Sequence, residues 1–501
     1  MIDAAAAPPR ILSQPIPTEM LRFGLPIAVG MGLQTTFNLV DAYVIARLQP
    51  EVAGPALGAL GICDQLSAIG TIMSYGLTTA STAMIAQAHG RGDRPRVRAL
   101  VWQSILAVSA LSLIFGFLSL AFAGPILAGV VGAKGAVAAL GTSYLRVNSG
   151  GAFSMFFLLQ LTGVQRSLGS SKTPVALLVL SNVLNLFLAV LLVYGPGDAP
   201  SVFSWGPPIA RALHLPRLEL LGAAWATVIA RTLTLVPVAY LLARRFDVLD
   251  RKSMTRPDRA VLGEIWKMAW PSSTQFVVRM LAMLVTHSLV ARAFTTAADQ
   301  SATTALGIVF RLETMALFVA MGWGSAAQTF VGQNLGAGHG DRARRSGHWA
   351  AIYNGLLMIT IAVAYQRSGQ SIVAFFDSTP RVVAIAVSYV NMVSWSYIGL
   401  GTGVVLGSAI TGSGATRTTL LTDVAVVLLV QIPACAAAVL LPDASLGRLW
   451  AAVTVTYVVS GLVYLVVYRL APWMKEALLK ASPAAARRAP RSRVARDAPA
   501  G

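Results

Sequence analysis

Long hydrophobic stretches recur along the chain and constrain its fold more than any other feature. About twelve of them, each of roughly 20 residues or more, are long enough to cross the ~30 Å hydrocarbon core of a bilayer. They lie near residues 20–46, 57–88, 99–122, 139–163, 174–194, 221–243, 265–294, 303–335, 349–366, 383–411, 418–441 and 449–469. With 55% hydrophobic and 12% charged residues and a mean hydropathy of +0.67, the chain is far more apolar than a soluble protein. Because a bilayer offers no water to the backbone and the stretches lack the alternation of barrel strands, the sequence predicts an all-α polytopic membrane protein.

The basic residues predict how the helices are oriented. The formal net charge is +19, and Lys and Arg concentrate in alternate loops, at 91–98, 166–172, 244–259 and 342–345, and in the tail from 469 to 496. Basic loops of membrane proteins stay on the cytoplasmic side. We therefore expect both termini in the cytoplasm and the protein in the plasma membrane, the inner membrane of a bacterium. Nucleic acid is not an expected partner, because a basic tail near anionic lipid accounts for the excess charge.

The ends of the chain and its two cysteines suggest no further chemistry. The N-terminal sequence "MIDAAAAPPRILSQPIPTEMLR" lacks the short apolar region and cleavage site of a signal peptide, so we expect the first helix to stay in the membrane. Residues 473–501 are predicted to be a disordered, basic cytoplasmic tail. Cys63 and Cys435 provide no metal-ligand spacing, and we interpret them as unpaired packing residues.

The chain repeats itself at an interval of about 245 residues. Pro26 in "GLPIAVGMG" matches Pro271 in "AWPSSTQFV", and "AQAHGRGDRPRVRA" (86–99) returns as "GQNLGAGHGDRARR" (332–345). After a cytoplasmic segment at 1–19, this predicts two six-helix lobes, at 20–245 and 246–472, related by a parallel repeat because six is an even number of crossings. Each proline removes a backbone donor, so we expect the first helix of each lobe to bend near its start.

The order of several motifs resembles the multidrug and toxic compound extrusion (MATE) family over residues 20–470. These motifs are Pro26, "NLVDAYVIARL" (38–48), "AHGRGD", "LGSSKTP", "ALGIVFRLE", "VGQNLGAG" and "QIP". The resemblance implies two bundles in a V around a central cavity. It also implies alternating access, with H⁺ or Na⁺ entry driving the export of small organic solutes such as drugs or toxic metabolites.

Asp41 is the acid that most needs an explanation. A carboxylate at membrane depth costs several kcal/mol by insertion scales, so such residues are functional candidates by default. The alternative is a structural carboxylate neutralised by an arginine or held protonated. We favour a cation-coupling group, because an arriving H⁺ or Na⁺ neutralises a buried carboxylate. Asp41 also matches the acid of the first helix in the family motif, and its position in the second lobe is Thr286, which places the coupling chemistry in the first lobe.

Two asparagines are the candidate partners of Asp41. Asn182 and Asn185 lie three residues apart, on neighbouring parts of one helix face. The family motif places an asparagine at Asn185 and often an aspartate four residues later, where this chain has Ala189. Contact with the cation and plain helix–helix hydrogen bonding both remain open for this pair.

The second lobe contributes a candidate cavity or charge network. Its members are Arg279, His287, Arg311, Glu313 and Asp423. The glutamate that one branch of the family carries in the seventh helix is missing here, so no second cation site is carried over. Arg311 and Glu313 point to different sides of their helix, so we expect Glu313 to meet Arg279 or to line the cavity. For His287, a hydrogen-bonded neutral ring is preferred to a proton relay.

Gradient-driven transport is the preferred function. The glycine-rich turns lack the Lys-Ser/Thr ending of a phosphate loop, and no metalloprotease or nucleophile motif is present, so we expect no ATP, no cofactor, no metal and no enzyme activity. We favour H⁺ over Na⁺ because the candidate site has few anionic ligands. A lipid-precursor flippase of the same superfamily and a non-transporting membrane scaffold remain alternatives. We expect a monomer whose partners are membrane lipid and a small organic substrate.

Overall fold

The first half of the chain folds into helices, as predicted. The computed structural model describes residues 10–249, 256–296 and 298–470, and these ranges contain helices and connecting turns without a strand. The helices of the first half are α1 (Ile16–Ala46), α2 (Pro50–Gly90), α3 (Arg94–Pro125), α4 (Gly135–Gly150), α5 (Ala152–Ser167), α6 (Lys172–Tyr194) and α7 (Glu219–Arg244). Short helices at Arg10–Ser13 and Gly206–Ala212 accompany them.

The second half follows the same plan. Its helices are α8 (Arg259–Phe294), α9 (Ser301–Gly336), α10 (Gly340–Phe376), α11 (Pro380–Val393), α12 (Tyr397–Gly412), α13 (Thr416–Val426), α14 (Ile432–Leu440) and α15 (Leu446–Leu470). The short turns Ser394–Ser396 and Val427–Gln431 make α11–α12 and α13–α14 continuous. Ten segments within the described ranges are long and apolar enough to cross a membrane. The two other predicted spans correspond to α1 and to the pair α4 and α5. The sequence predicted one helix for that pair, but the structure divides it into two helices at Gly151.

Helix-ending glycines confirm the internal repeat. Gly92 follows α2 with φ +74°, and Gly338 follows α9 with φ +80°. Gly169 after α5 and Gly414 after α12 form a second pair, with φ +87° and +93°. A residue with a Cβ rarely adopts this left-handed conformation, so glycine ends the helix at equivalent positions in both halves. The fold is therefore two six-helix bundles related by a parallel repeat.

Two close helix crossings join the halves, and they too are related by the repeat. A Cβ on Gly76 of α2 would lie 2.7 Å from the Cα of Ser273 on α8. A Cβ on Gly322 of α9 would lie 2.5 Å from the Cα of Ala28 on α1. Small residues permit this approach of backbones, which is how helices associate within a bilayer.

Helix α1 spans both halves of the molecule. Its first part packs into the core of the second half through Met20, Phe23 and Ile27. Its last part packs into a core of the first half through Val44 and Ile45. The halves are therefore in contact along the start of α1 and separate toward its end.

Hydrogen bonds between the halves are confined to one end of the bundle. Among described residues, the first-half partners in these hydrogen bonds lie at 11–17, 73–103 and 167, on the side of the bundle that carries the basic turns. We call this the basic end. The basic end is closed in this structure.

The remaining fold predictions have mixed outcomes. Cys63 and Cys435 are free and buried, which confirms their interpretation as packing residues. Helices α1 and α8 continue through Pro26 and Pro271, and the bend at these prolines stays a prediction. The predicted tail at 473–501 and residues 1–9 of the N-terminal segment lie outside the described residues.

Candidate functional site

Asp41 and Asn185 meet across two helices, as the sequence motif suggested. The Nδ2 of Asn185 on α6 donates to Oδ1 of Asp41 on α1 at 2.9 Å. Thr227 on α7 donates from Oγ1 to Oδ1 of Asn185 at 3.0 Å. The threonine thus fixes the amide so that its NH₂ group, and not its oxygen, faces the carboxylate.

Three further ionisable groups share the electrostatic environment of Asp41. Arg231 on α7 and Asp64 on α2 are close enough to act on its charge, and Tyr144 on α4 lies near Asp41, Asp64 and Arg231. Asp41 and Arg231 are partly buried, whereas Asp64 is exposed. The environment of Asp41 therefore contains a positive charge supplied by the protein itself.

The second asparagine is not part of this cluster. Asn182 is one turn earlier on α6 and forms no hydrogen bond with another described residue, so the structure brings only Asn185 to Asp41. Ala189, at the position of the absent aspartate, is fully buried. Thr286, the repeat position of Asp41, is also buried, and its hydroxyl donates to the carbonyl of Ala282 within α8.

Arg279 and Asp423 form an ion pair inside the second half. The Nε of Arg279 is 2.7 Å from Oδ2 of Asp423, and Nη2 is 3.2 Å from Oδ1, which makes the pair bidentate. Tyr464 donates to the same carboxylate at 2.6 Å. The carboxylate side chain is 5% exposed and the arginine 28% exposed. Asp423 is thereby neutralised by a fixed partner.

Glu313 does not contact Arg279, and that expectation was wrong. The hydroxyl of Tyr389 donates to its Oε2 at 2.5 Å, and Tyr457 donates to its Oε1. Arg279 is instead held by Asp423, which lies closer on the neighbouring helix α13. Glu313 lines a cavity inside the second half and is not among the lining residues of the space between the two halves.

The two remaining candidates lie apart from these clusters. Arg311 is exposed and forms no ion pair with a described residue. The Nδ1 of His287 is 3.3 Å from the carbonyl oxygen of Met283, and its ring lies 4.2 Å from that of Phe310, between centroids. This packing agrees with the interpretation of His287 as a hydrogen-bonded side chain.

Two cavities lie beside these groups. One is in the second half, is open to solvent with a volume of about 850 Å³ that includes its mouth, and is lined by Arg279, Glu313 and Asp423 among others. The second, which we call the central cavity, lies between the two halves and is also open to solvent, with a volume of about 840 Å³ that includes its mouth. Its lining includes Tyr75, Arg166, Phe276, Arg279, Gln328 and Thr411.

Sequence reasoning missed several of these partners. Thr227, Tyr389 and Tyr457 are ordinary residues of apolar helices, and nothing in their spacing distinguishes them. Arg166 was counted among the basic loop residues, although it lies in the last turn of α5 and its Nε is buried. The available signal was its position: a charged residue stands only two positions after the apolar run "FFLLQLTGV".

A known protein family matches both halves of the chain. The MatE family model matches residues 26–191 and again 274–437, once in each half of the chain. The chain belongs to the MatE family. The two matches begin about 248 residues apart, close to the interval of the motifs.

Curated relatives of this MatE protein carry different names. It is 25% identical over 431 residues to the "FAD transporter" of Shewanella oneidensis, covering 85% of this chain and 89% of that protein. It is 24% identical over 400 residues to the "Probable multidrug resistance protein YpnP" of Bacillus subtilis, covering 79% and 82%.

A solved structure shares the fold. The structure described as the outward-facing conformation of a multidrug resistance MATE family transporter superposes with a TM-score of 0.82 at 19% identity, covering 94% of this chain and 99% of that one. At this identity the likeness concerns the fold alone.

Proposed function

We propose that this MatE protein exports organic solutes from the cytoplasm by alternating access, driven by proton entry at Asp41. The observation that carries the proposal is the contact of Asp41 with Asn185, oriented by Thr227. The names of multidrug relatives support export as the direction, and the relative named an FAD transporter indicates that organic solutes other than drugs belong to the range of this fold.

The donors around Asp41 favour H⁺ over Na⁺. A hard cation such as Na⁺ requires several oxygen ligands, whereas a proton requires one carboxylate oxygen. Here the amide of Asn185 turns its NH₂ group toward Asp41, so the amide oxygen points away from the carboxylate.

Helix α1 provides a route from protonation to motion. Its start is packed on the second half through Phe23, and its end on the first half through Val44 and Ile45. Asp41 lies three residues before Val44, so a change in its charge alters how the end of α1 is held. Because the start of the same helix is bound to the other half, that change is transmitted across the interface between the halves.

The charged loops support an orientation in the membrane. We propose that the closed basic end is the cytoplasmic end, because basic loops face the cytoplasm, and that this structure is outward-facing. Asp41 is then accessible to protons that enter from outside. We further propose that the protein resides in the plasma membrane with both termini in the cytoplasm.

The test is transport by purified protein in proteoliposomes under a pH gradient alone and then under a Na⁺ gradient alone. The probes are ethidium, an organic cation, and FAD, an organic anion, and movement of either one counts as export. We expect Asp41→Asn to abolish transport driven by the pH gradient, because Asn keeps the volume of Asp but cannot titrate. Asp443→Asn, at an exposed loop acid, is the matched control and should transport normally.

Three results would contradict the proposal. Transport driven only by the Na⁺ gradient refutes H⁺ as the coupling ion. Normal transport by the Asp41→Asn variant refutes the role of Asp41. A wild-type protein that moves neither probe under either gradient refutes ion-driven export and favours a scaffold.

A further inference from the structure

Among the residues that the structure describes, the lining of the central cavity carries positive charge and no carboxylate. Its described lining residues include Arg166 from the first half and Arg279 from the second, together with hydroxyl and amide groups, and no Asp or Glu. Such a composition is the opposite of what an organic cation requires, because a cation would meet like charge in a poorly solvated site.

The two arginines are not equivalent. The charge of Arg279 is offset by Asp423, which binds it from the side of the second-half cavity. Arg166 forms no ion pair with a described residue. Its Nη1 is 3.5 Å from the hydroxyl of Thr162, and its Nε is buried without a hydrogen-bond partner among described residues. The cavity therefore holds a net charge of about +1, and a partly buried charge without a partner is costly until an opposite charge joins it.

Close packing holds Arg166 at the cavity wall. Gly163 lies one turn before it on α5, and a Cβ there would lie 2.9 Å from the side chain of Thr82 on α2. This contact brings the last turn of α5 against α2. The side chain of Arg166 is thus directed by a packed helix and not by a loop.

An aromatic pair lies in the same cavity. The rings of Tyr75 on α2 and Phe276 on α8 are 6.0 Å apart between centroids and tilted by 44°. Each ring comes from a different half of the molecule. Tyr75, Phe276 and Arg166 all line this cavity, so the rings and the unpaired guanidinium face the same space.

We propose that the central cavity binds aromatic organic anions, with a phosphate or carboxylate group at Arg166 and the ring system beside Tyr75 and Phe276. The guanidinium fork matches the geometry of both anionic groups, and the rings provide an apolar surface for a planar substrate. This assignment of substrate class rests on the proposed export function. It predicts that anions are preferred to cations of similar size.

Ligand binding to purified protein tests the charge preference directly. FAD and riboflavin share one ring system, but only FAD carries phosphate groups, so comparing them isolates the anion. We expect wild-type protein to bind FAD at least tenfold more tightly than riboflavin, and inorganic pyrophosphate to displace FAD. Arg166→Gln should weaken FAD binding at least tenfold and leave riboflavin binding unchanged, while Arg166→Lys, which retains the charge, should lose less than Arg166→Gln.

Thermal unfolding gives a second measurement. Without ligand, Arg166→Gln should unfold at the wild-type temperature or above, because it removes a partly buried charge that lacks an ion partner among the described residues. FAD should raise the unfolding temperature of wild-type protein and not that of Arg166→Gln. Arg292→Gln, at an exposed arginine of α8 outside the cavity, is the charge-matched control and should behave as wild type.

The outcomes separate this inference from the proposed function. Equal affinity for FAD and riboflavin, or unchanged FAD binding in Arg166→Gln, overturns the inference. If Arg166→Gln does not fold, failure of pyrophosphate to displace FAD from wild-type protein overturns it instead. If the pH gradient drives movement of ethidium but not of FAD, the anion preference is overturned and the export function stands. If neither probe moves, the export function itself is overturned.

Discussion

Two glutamines related by the repeat close the basic end, and replacing both should open it. The Nε2 of Gln87 on α2 donates to the carbonyl of Gly412 at the end of α12, at 2.8 Å. The Nε2 of Gln333 on α9 donates to the carbonyl of Ser167 at the end of α5, at 2.7 Å. The last carbonyls of a helix have no partner within it, so each glutamine caps a helix of the opposite half.

The expected effect follows from these two bonds. A neutral intramolecular hydrogen bond contributes about 1 kcal/mol net, because the freed carbonyl binds water when the end opens. Gln87→Ala with Gln333→Ala should therefore cost the closed state about 2 kcal/mol, or about 30-fold in the ratio of closed to open molecules. An open state present at about 1% would rise to about 20–25%.

Distance measurement between spin labels detects this shift. With Cys63 and Cys435 replaced by alanine, cysteines at Arg94 and Asp341 would carry one label on each half at the basic end. The double variant should gain a longer distance component. Gln366→Ala is the matched control, since its amide donates to the carbonyl of Asn391 at 2.9 Å within one half.

The result that refutes this reasoning is an unchanged distance distribution in the folded double variant. The same conclusion follows if Gln366→Ala opens the end as far as the double variant does. In either case the glutamines would contribute to general stability and not to closure.

Two further predictions concern stability. Asp423→Asn leaves Arg279 without its ion partner and should lower the free energy of unfolding by about 3 kcal/mol, which is at the low end for a buried pair because the arginine is partly exposed. Thermal unfolding in detergent measures this change, and an unchanged midpoint contradicts it. Gly322→Leu inserts a side chain where the backbone of Ala28 leaves no room and should cost about 1–3 kcal/mol, whereas Gly355→Leu faces open space and should be neutral by the same measurement.

Much of the fold could be predicted because the bilayer imposes it. The length of apolar runs fixes the helices, and the glycines that end α2 and α9 follow from turn chemistry at both copies of one motif. The division of one span at Gly151 was missed, because both helices there are apolar and one glycine interrupts nothing in the pattern. A hydropathy pattern shows that a segment lies in the bilayer, but it does not show whether the segment forms one continuous helix or two.

The site was predictable only where a motif carried it. Asp41 and Asn185 were paired from their motif, and the structure places them in contact. The partners of Glu313 were not predictable, because Tyr389 and Tyr457 lie 76 and 144 residues away. Such contacts depend on how each helix is rotated about its axis, which no local pattern specifies.

The repeat is kept in the contacts that close the molecule and lost in its charged groups. Gln87 and Gln333 occupy equivalent positions and make equivalent bonds, since two halves that move about a common axis benefit from matched contacts. Arg166 has Thr411 at its repeat position, and both line the central cavity. An arginine at position 411 would place a second unpaired positive charge in this cavity, beside that of Arg166, and the two would repel each other. Electrostatic repulsion near the axis thus explains why a symmetric fold holds an asymmetric site.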